Sequence, residues 1–344
     1  MSEVTNTGRG LPPNRESRST ERAVWAGAVG GLAPAHSLFP TPCFARSVRH
    51  VMTKRFDNIS FLTDYGTRDE FVGIVKCVIA DIAPHVRVID ITHDVPAFDV
   101  RAGSLALARA VSYVPQGVVL AVVDPGVGSS RRAIAVSVAG GKGIFVGPDN
   151  GLLSTGVALA GGADEAVELD KPDYHLAAPG DTFAGRDIFA PVAAHLCNGV
   201  SLQELGTPID VDTLLPGVVP LPRQEGNELH AEVTWVDRYG NCQLNVSQDD
   251  VAHLGSPLRV TLGARGTGER IVRSMPVVRH FGQIGAGLGL VVDSFGMLAV
   301  CRDRGSAALE LDLSPSDLVV LTSDDGSSAT RDVPVSLGDK PKTV

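Results

Sequence analysis

The sequence is short of the usual signatures of metal and disulfide chemistry. Its five cysteines, Cys43, Cys77, Cys197, Cys242 and Cys301, are scattered, odd in number and never form a CxxC pair. That spacing excludes a disulfide framework and a cysteine zinc site, so buried free thiols in a reducing compartment are expected. The nine histidines contain no HExxH or HxH cluster, so no metal is expected. No apolar run reaches the roughly 18–20 residues that span a bilayer. Basic residues are outnumbered, 30 Lys and Arg against 39 Asp and Glu, for a net charge of −9. This argues against nucleic acid as a partner, because phosphate binding wants a basic face. What is present suits a folded chain: 44% hydrophobic residues and 20% charged in 344 residues, enough for two domains with a core each. No membrane partner and a cytoplasmic location are expected.

Residues 1–55 are rich in Arg, Ser, Pro and Gly without sustained periodicity and read as a disordered arm. Beyond them an alternating pattern begins. Ile59–Thr63 is a short apolar run ended by Asp64-Tyr65-Gly66. Asp69–Ile82 places Phe71, Val75, Val78 and Ile82 on one helical face. Val86–Ile91 is a β-branched run ended by Thr92-His93-Asp94, and Asp99–Val111 has helical character with Asp99 as N-cap. Val118–Val123 is a third apolar run, ended by Asp124-Pro125-Gly126. Continuous apolar strands alternating with helices predict a largely parallel sheet covered on both faces. Ligands of such sheets lie beyond the carboxyl ends of the strands, where Asp64, His93-Asp94 and Asp124 fall.

Strands are expected over Ala133–Val138 and Gly143–Val146, and a helix over Asp187–Asn198. The Pro-rich stretch Leu214–Pro222 reads as a linker. Short strands follow at Leu229–Val236, Leu258–Leu262, Leu288–Val292 and Met297–Cys301. The expected layout is therefore α/β: an N-terminal α/β/α domain over 56–215, a linker over 216–225, a small β-barrel-like domain over 226–322, and a disordered tail over 323–344.

Six stretches carry a specific pattern: Phe61-Leu62-Thr63-Asp64-Tyr65-Gly66; Val123-Asp124-Pro125-Gly126-Val127-Gly128 with Arg131-Arg132; Gly147-Pro148-Asp149-Asn150-Gly151-Leu152-Leu153; Thr182-Phe183-Ala184-Gly185-Arg186-Asp187; Asp237-Arg238-Tyr239-Gly240-Asn241; and Gly305-Ser306-Ala307-Ala308. In this order they resemble the S-adenosyl-L-methionine (SAM) hydroxide adenosyltransferases, adenosine-forming SAM hydrolases related to the fluorinase and chlorinase. The resemblance covers residues 57–320. It implies a homotrimer with ligand sites at subunit interfaces, no cofactor, and conversion of SAM and water to adenosine and L-methionine.

The resemblance assigns Asp64 to the ribose diol, whose two hydroxyls match the two acceptor oxygens of a carboxylate. Taken alone, Asp64 reads equally as a strand-end capping residue. Asp124 and Arg131 match two members of an Asp-Arg-His group that positions and activates water; otherwise they form a structural ion pair across the Pro125–Ser130 turn. Gly126 and Gly128 lack the following Lys-Ser/Thr of a phosphate loop. The third member is missing, because Ala184 stands where the family motif usually carries His. Alanine neither accepts a proton nor orients water, so slow turnover is expected. Phe98 matches an aromatic near the sugar, or else packs in the core, and Asp69 a carboxylate near the methionine end. Asp237 and Asn241 match contacts to the methionine ammonium and the adenine, Ser294 a contact to the methionine carboxylate, and Arg304 a backbone contact to the adenine amino group. Phe295 is apolar where the fluorinase has Arg. Asp149 and Asn150 are expected to shape their loop.

Two other readings compete. A non-catalytic SAM- or adenosine-binding protein is favoured by Ala184. A halide adenosyltransferase would carry a Tyr-containing motif in place of Asp124-Pro125-Gly126 and a longer loop than Ala139–Lys142.

Overall fold

The computed structural model describes residues 55–263, 270–324 and 326. The arm expected over 1–55 lies outside these residues except for Arg55, as does most of the tail expected over 323–344.

The first sheet contains β1 (Asn58–Thr63), β2 (Arg87–Thr92), β3 (Gly117–Val122), β4 (Ala133–Val138), β5 (Gly143–Pro148), β6 (Ala163–Glu168) and β7 (Thr207–Ile209). Its strand order is β2-β1-β3-β5-β4-β6-β7. β2, β1, β3 and β5 are parallel neighbours, whereas β4 pairs antiparallel with β5 and β6, and β7 antiparallel with β6. β3 and β4 are buried along their whole length, as expected of apolar strands covered on both faces. One face carries α1 (Phe71–Ile82) and α4 (Ala190–Cys197); the other carries α2 (Val100–Ala110) and α3 (Ser154–Leu159). The short α5 (Leu202–Leu205) precedes β7 and starts in a Ser201–Glu204 capping box. The expected N-cap is present, with Asp99 accepting from the Ala102 N–H at 2.8 Å.

Two expectations about helices need correction. α1 buries Val72, Val75 and Ile79, and Val78 and Ile82 of the expected face pack against the same core; Phe71 alone departs from it. Phe71 is drawn sideways at the helix start into edge contacts with Tyr65 and Phe183, at ring separations of 5.9 and 5.2 Å. The helix expected over Asp187–Asn198 instead opens with a π-helical turn at Gly185–Phe189 before α4. Pro191 explains the break, since it has no N–H to give the Asp187 carbonyl four residues back. That carbonyl accepts from Leu176 N–H at 2.8 Å instead. A third correction concerns the thiols: Cys197, Cys242 and Cys301 are buried, but Cys77 is exposed on α1, and Cys43 lies outside the described residues.

The second sheet contains β8 (Arg223–Glu225), β9 (Glu228–Val236), β10 (Cys242–Ser247), β11 (Leu258–Gly263), β12 (Arg270–Met275), β13 (Val277–Val278), β14 (Leu288–Val292), β15 (Met297–Arg302) and β16 (Leu318–Ser323). The order β12-β11-β16-β9-β10-β15-β14-β13 gives a nearly closed, barrel-like sheet, with β8 added to β9. Two short helices, α6 (Gln248–Val251) and α7 (Ala307–Leu311), follow β10 and β15. Its core is separate and built from residues such as Val233, Leu244, Val260, Leu290, Val300 and Val319. β10 escaped the sequence reading because it buries Gln243 and Asn245. Their amides are paired, Asn245 Oδ1 accepting from Glu232 N–H at 2.8 Å and Gln243 Nε2 donating to Asp293 Oδ2 at 2.5 Å.

The connection between the sheets is held rather than loose. Asp149 receives the Arg132 guanidinium and, at 2.9 Å, the Leu215 N–H. Across the seam Arg101 of α2 bridges to Glu232 of β9 at 2.7 Å, and the Arg109 guanidinium lies 4.3 Å from the Trp235 ring centre. These cations seat α2 against β9.

Candidate active site

The three strands β2, β1 and β3 are adjacent, so the acidic turns that follow them open along one edge of the first sheet. After β1, Asp64 turns its Oδ2 to accept from the Phe98 N–H at 2.9 Å. Phe98 is itself held at a φ of +67° and is 72% exposed, so it does not pack in the core. A left-handed φ on a bulky residue is costly and persists where the surroundings impose it, often at binding sites. The Asp64 bond is one such constraint, and it leaves three of the four lone-pair sites of that carboxylate for other donors.

After β3, Asp124 and Arg131 form a fork-to-fork pair. Arg131 Nε donates to Asp124 Oδ1 at 2.8 Å, and Nη2 makes a short contact to Oδ2. Side-chain exposure is only 6% for Asp124 and 14% for Arg131. The guanidinium also lies over the Phe189 ring at 5.3 Å, which ties the pair to the π-helical turn. A charged pair so little hydrated is held by geometry as well as by charge.

Tyr65 follows Asp64 beyond β1, the strand that pairs with β3, after which Asp124 stands. Its ring is 5.8 Å from that of Phe183, and its hydroxyl presses on Gly185, where any Cβ would overlap it. Burial pushes the phenol pKa well above its ordinary value; the Asp64 and Asp124 carboxylates push the same way and Arg131 opposes them. Asp64 and Asp124 stand just beyond the ends of the neighbouring parallel strands β1 and β3. Ala184, next to Gly185, is 7% exposed and belongs to the apolar cluster beneath.

After β2, His93 is a buried structural residue. Its Nδ1 lies 2.8 Å from Thr63 Oγ1, its Nε2 3.1 Å from Asp90 Oδ1, and its ring meets Phe61 edge-on. Thr63 Oγ1 in turn accepts from the Tyr65 N–H at 3.2 Å, and the His93 carbonyl from the Gly66 N–H at 2.7 Å. The Thr63–Gly66 turn is therefore pinned from below. Asp94 and Asp69 are both exposed, the latter in the loop ahead of α1, and Asp69 hydrogen-bonds no described side chain. Asn150 donates to the Val123 carbonyl at 2.9 Å and accepts from the Leu152 N–H at 3.1 Å. Together with Asp149 it shapes its loop.

Of the residues singled out in the second sheet, Asp237 and Asn241 gather apart from the first sheet, while Ser294 also faces a cavity shared with Ile91, Thr92 and Arg109. Asp237, Asn241 and Ser294 line one cavity of about 300 Å³ with Trp235, Gln243 and Arg279, and every lining residue belongs to the second sheet and its turns. Asp237 Oδ1 accepts from the Tyr239 and Asn241 N–H groups at 2.8 and 2.9 Å, and Oδ2 from Asn241 Nδ2 at 2.8 Å. One lone-pair site on Oδ2 remains. Gly240, at a φ of +82°, lets this turn press on Ser306, where a Cβ would collide with the Ser306 hydroxyl. The Gly305–Ala308 motif is thereby brought beside Asp237–Asn241. Arg304 precedes it, exposed and at a φ of +53°.

Sequence reasoning quoted Tyr65 only as part of a motif and missed Gln243 and Arg279 altogether. For Tyr65 the signal was present, a bulky aromatic between two strand-end turn residues. For Gln243 and Arg279 no local pattern marks them.

Comparison with known proteins follows the same division. The pattern of the SAM hydroxide adenosyltransferase N-terminal domain matches residues 59–206, and that of the C-terminal domain matches residues 231–320. An (R)-S-adenosyl-L-methionine hydrolase of Salinispora tropica is 47% identical over 267 residues, covering 77% of this chain and 97% of the relative. A fluorinase of Actinoplanes sp. is 28% identical over 290 residues, covering 77% and 97%. The crystal structure of an uncharacterized conserved protein from Thermotoga maritima aligns with a TM-score of 0.69 at 35% identity, over 77% of this chain and 99% of that one.

Proposed function

The chain belongs to the SAM hydroxide adenosyltransferase family, and from that premise we infer that it hydrolyses SAM to adenosine and L-methionine. The observation that supports this reading is the little-hydrated Asp124–Arg131 pair beyond β3, next to the strand β1 that ends at Asp64. A sulfonium leaves readily, so the reaction needs no acid; it needs an oxygen nucleophile held in line with the C5′–S bond and shielded from bulk water. Asp124, oriented by Arg131, accepts one hydrogen of the attacking water. The new bond forms from water oxygen to C5′, the C5′–S electron pair passes to sulfur, and the released proton moves to Asp124 and on to solvent. Asp64 takes the ribose hydroxyls on its free lone pairs, with exposed Phe98 against the sugar and Asp69 near the methionine end.

Asp237, Asn241 and Ser294, with the backbone at Arg304, recognise the methionine and adenine ends. Asp237 keeps one acceptor site for an ammonium. Asp237 and Asn241 open onto a cavity lined by the second sheet alone, while Ser294 also lines a cavity of about 400 Å³ with Ile91, Thr92 and Arg109. We read the Asp64–Asp124 half and the Asp237–Asn241 half as meeting between copies of the chain, as a homotrimer would allow. We read the sheets as an N-terminal domain over 56–215 and a C-terminal domain over 226–322, and the protein as cytoplasmic. Among the described residues no helix is long and apolar enough to cross a membrane. Attack by water rather than halide is supported by the Asp124-Pro125-Gly126 turn and the four-residue β4–β5 connection, Ala139–Lys142.

The deciding experiment incubates purified protein with SAM and follows adenosine and methionine by chromatography. Equal amounts of both, above a buffer blank, are expected. Buried Ala184, in place of the family histidine, favours one other reading, a SAM or adenosine binder without turnover. Binding by calorimetry with no adenosine formed would establish that reading instead.

A further inference from the structure

Tyr65 is the polar side chain of the site that neither the water-directing pair nor the ribose contact uses. Its backbone is fixed twice over, by Thr63 Oγ1 below and by the Gly66 turn after it, so the ring has one direction to point. Phe71 and Phe183 flank the ring, and Gly185 receives the hydroxyl because it has no side chain. Among the described residues no hydrogen bond to the hydroxyl is found, although Asp64 is its chain neighbour, Asp124 follows the adjacent strand β3, and Arg131 lies over Phe189 of the same π-helical turn that begins at Gly185. A phenol held this way has both an acceptor lone pair and a donor proton unspent. It also sits beside the residue after Ala184, the position at which the water-holding group is otherwise missing.

We propose that the Tyr65 hydroxyl is the second anchor of the attacking water, accepting one of its hydrogens while Asp124 accepts the other. This deepens the hydrolase reading and rests on it. Two acceptors fix both hydrogens of the water, which leaves an oxygen lone pair facing C5′. Tyr65 remains neutral throughout, because burial and two neighbouring carboxylates oppose its ionisation. It therefore contributes orientation and takes no net proton. Bond-making to C5′, bond-breaking at sulfur and proton release to Asp124 balance as before.

The test compares the full-length protein with Tyr65→Phe, which removes one oxygen and keeps the ring. Removing one positioned group from such a site typically lowers turnover by about 10²-fold or more. The expected result is a fall in kcat of about 100-fold, with KM for SAM and Kd for adenosine within twofold and the melting temperature within a few degrees. Ala184→His is expected to raise kcat at least tenfold more in Tyr65→Phe than in the parent protein; equal gains in both would mean that Tyr65 only packs. If the parent protein makes adenosine and Tyr65→Phe does so at a kcat within twofold, the proposal is overturned and the hydrolase reading stands. If the parent protein makes none, the hydrolase reading falls and this proposal falls with it.

Discussion

Arg131→Met is the sharpest probe of the Asp124–Arg131 pair. The substitution keeps a long apolar stem over the Phe189 ring and removes both donors to Asp124. It strands a carboxylate that is 6% exposed, with Asp64 near enough to share its effect on Tyr65. Removing one partner of a buried ion pair costs about 3–5 kcal/mol. Arg131 reaches the rim at 14% exposure, so the lower end, about 3 kcal/mol, applies. Asp124→Asn leaves the guanidinium facing an amide and is expected to cost about 2 kcal/mol, since its oxygen can still accept from Nε. In the double variant no unpaired charge remains, so its loss should fall short of the sum by about 2 kcal/mol, within the coupling seen for contacting residues. Urea unfolding of the four proteins at neutral pH measures the cycle, and turnover measures its function. Each single variant is expected to lose at least about 100-fold in kcat, and the double variant little more than either. If both single variants lose under 1 kcal/mol and their losses simply add, the pair is screened by water. The argument for a desolvated nucleophile site would then be wrong.

Other outcomes follow from the same geometry. Gly185→Ala is expected to destabilise by about 1–3 kcal/mol, because its Cβ would overlap the Tyr65 hydroxyl and lie 3.1 Å from Tyr65 Cζ and 3.3 Å from Phe183 Cε2. Adding Tyr65→Phe should recover part of that loss in a thermal melt; full additivity would mean that the hydroxyl does not press on Gly185. Asp64→Ala should weaken adenosine binding at least tenfold in calorimetry but leave 2′,3′-dideoxyadenosine nearly unchanged, and an equal loss for both would remove Asp64 from the ribose. Alkaline stability should fall early. Burial, helped by nearby carboxylates, pushes the Cys197, Cys242 and Cys301 thiols up to about 12, so the unfolded chain releases these protons first, from about pH 9. Unfolding then gains about 1.4 kcal/mol per thiol at pH 10. The urea midpoint should drop between pH 8 and pH 10, and the drop should shrink in a variant with the three thiols replaced by alanine.

Much of the first sheet and its acidic turns was readable from order along the chain alone. β1 and β3 are runs of apolar residues because both their faces are covered, and a run of that kind announces itself without neighbours. Asp99 marked the start of α2 for the same local reason, the need of an unpaired helix N–H for an acceptor. The six motifs named the family because each is a contiguous turn. Contacts across the fold were another matter. β10 reads as polar until Gln243 meets Asp293 and Asn245 meets the Glu232 backbone. Phe71 leaves the buried face of α1 because Phe183, from a distant segment, and Tyr65 claim its ring. The π-helical turn depends on Leu176 taking the carbonyl that Pro191 cannot use. Tyr65 gained its place only when Gly185, more than a hundred residues away, made room for its hydroxyl. Local stretches carry periodicity, caps and turns, which arise between residues close in the chain. Which polar group is left unspent depends on partners that only folding brings together.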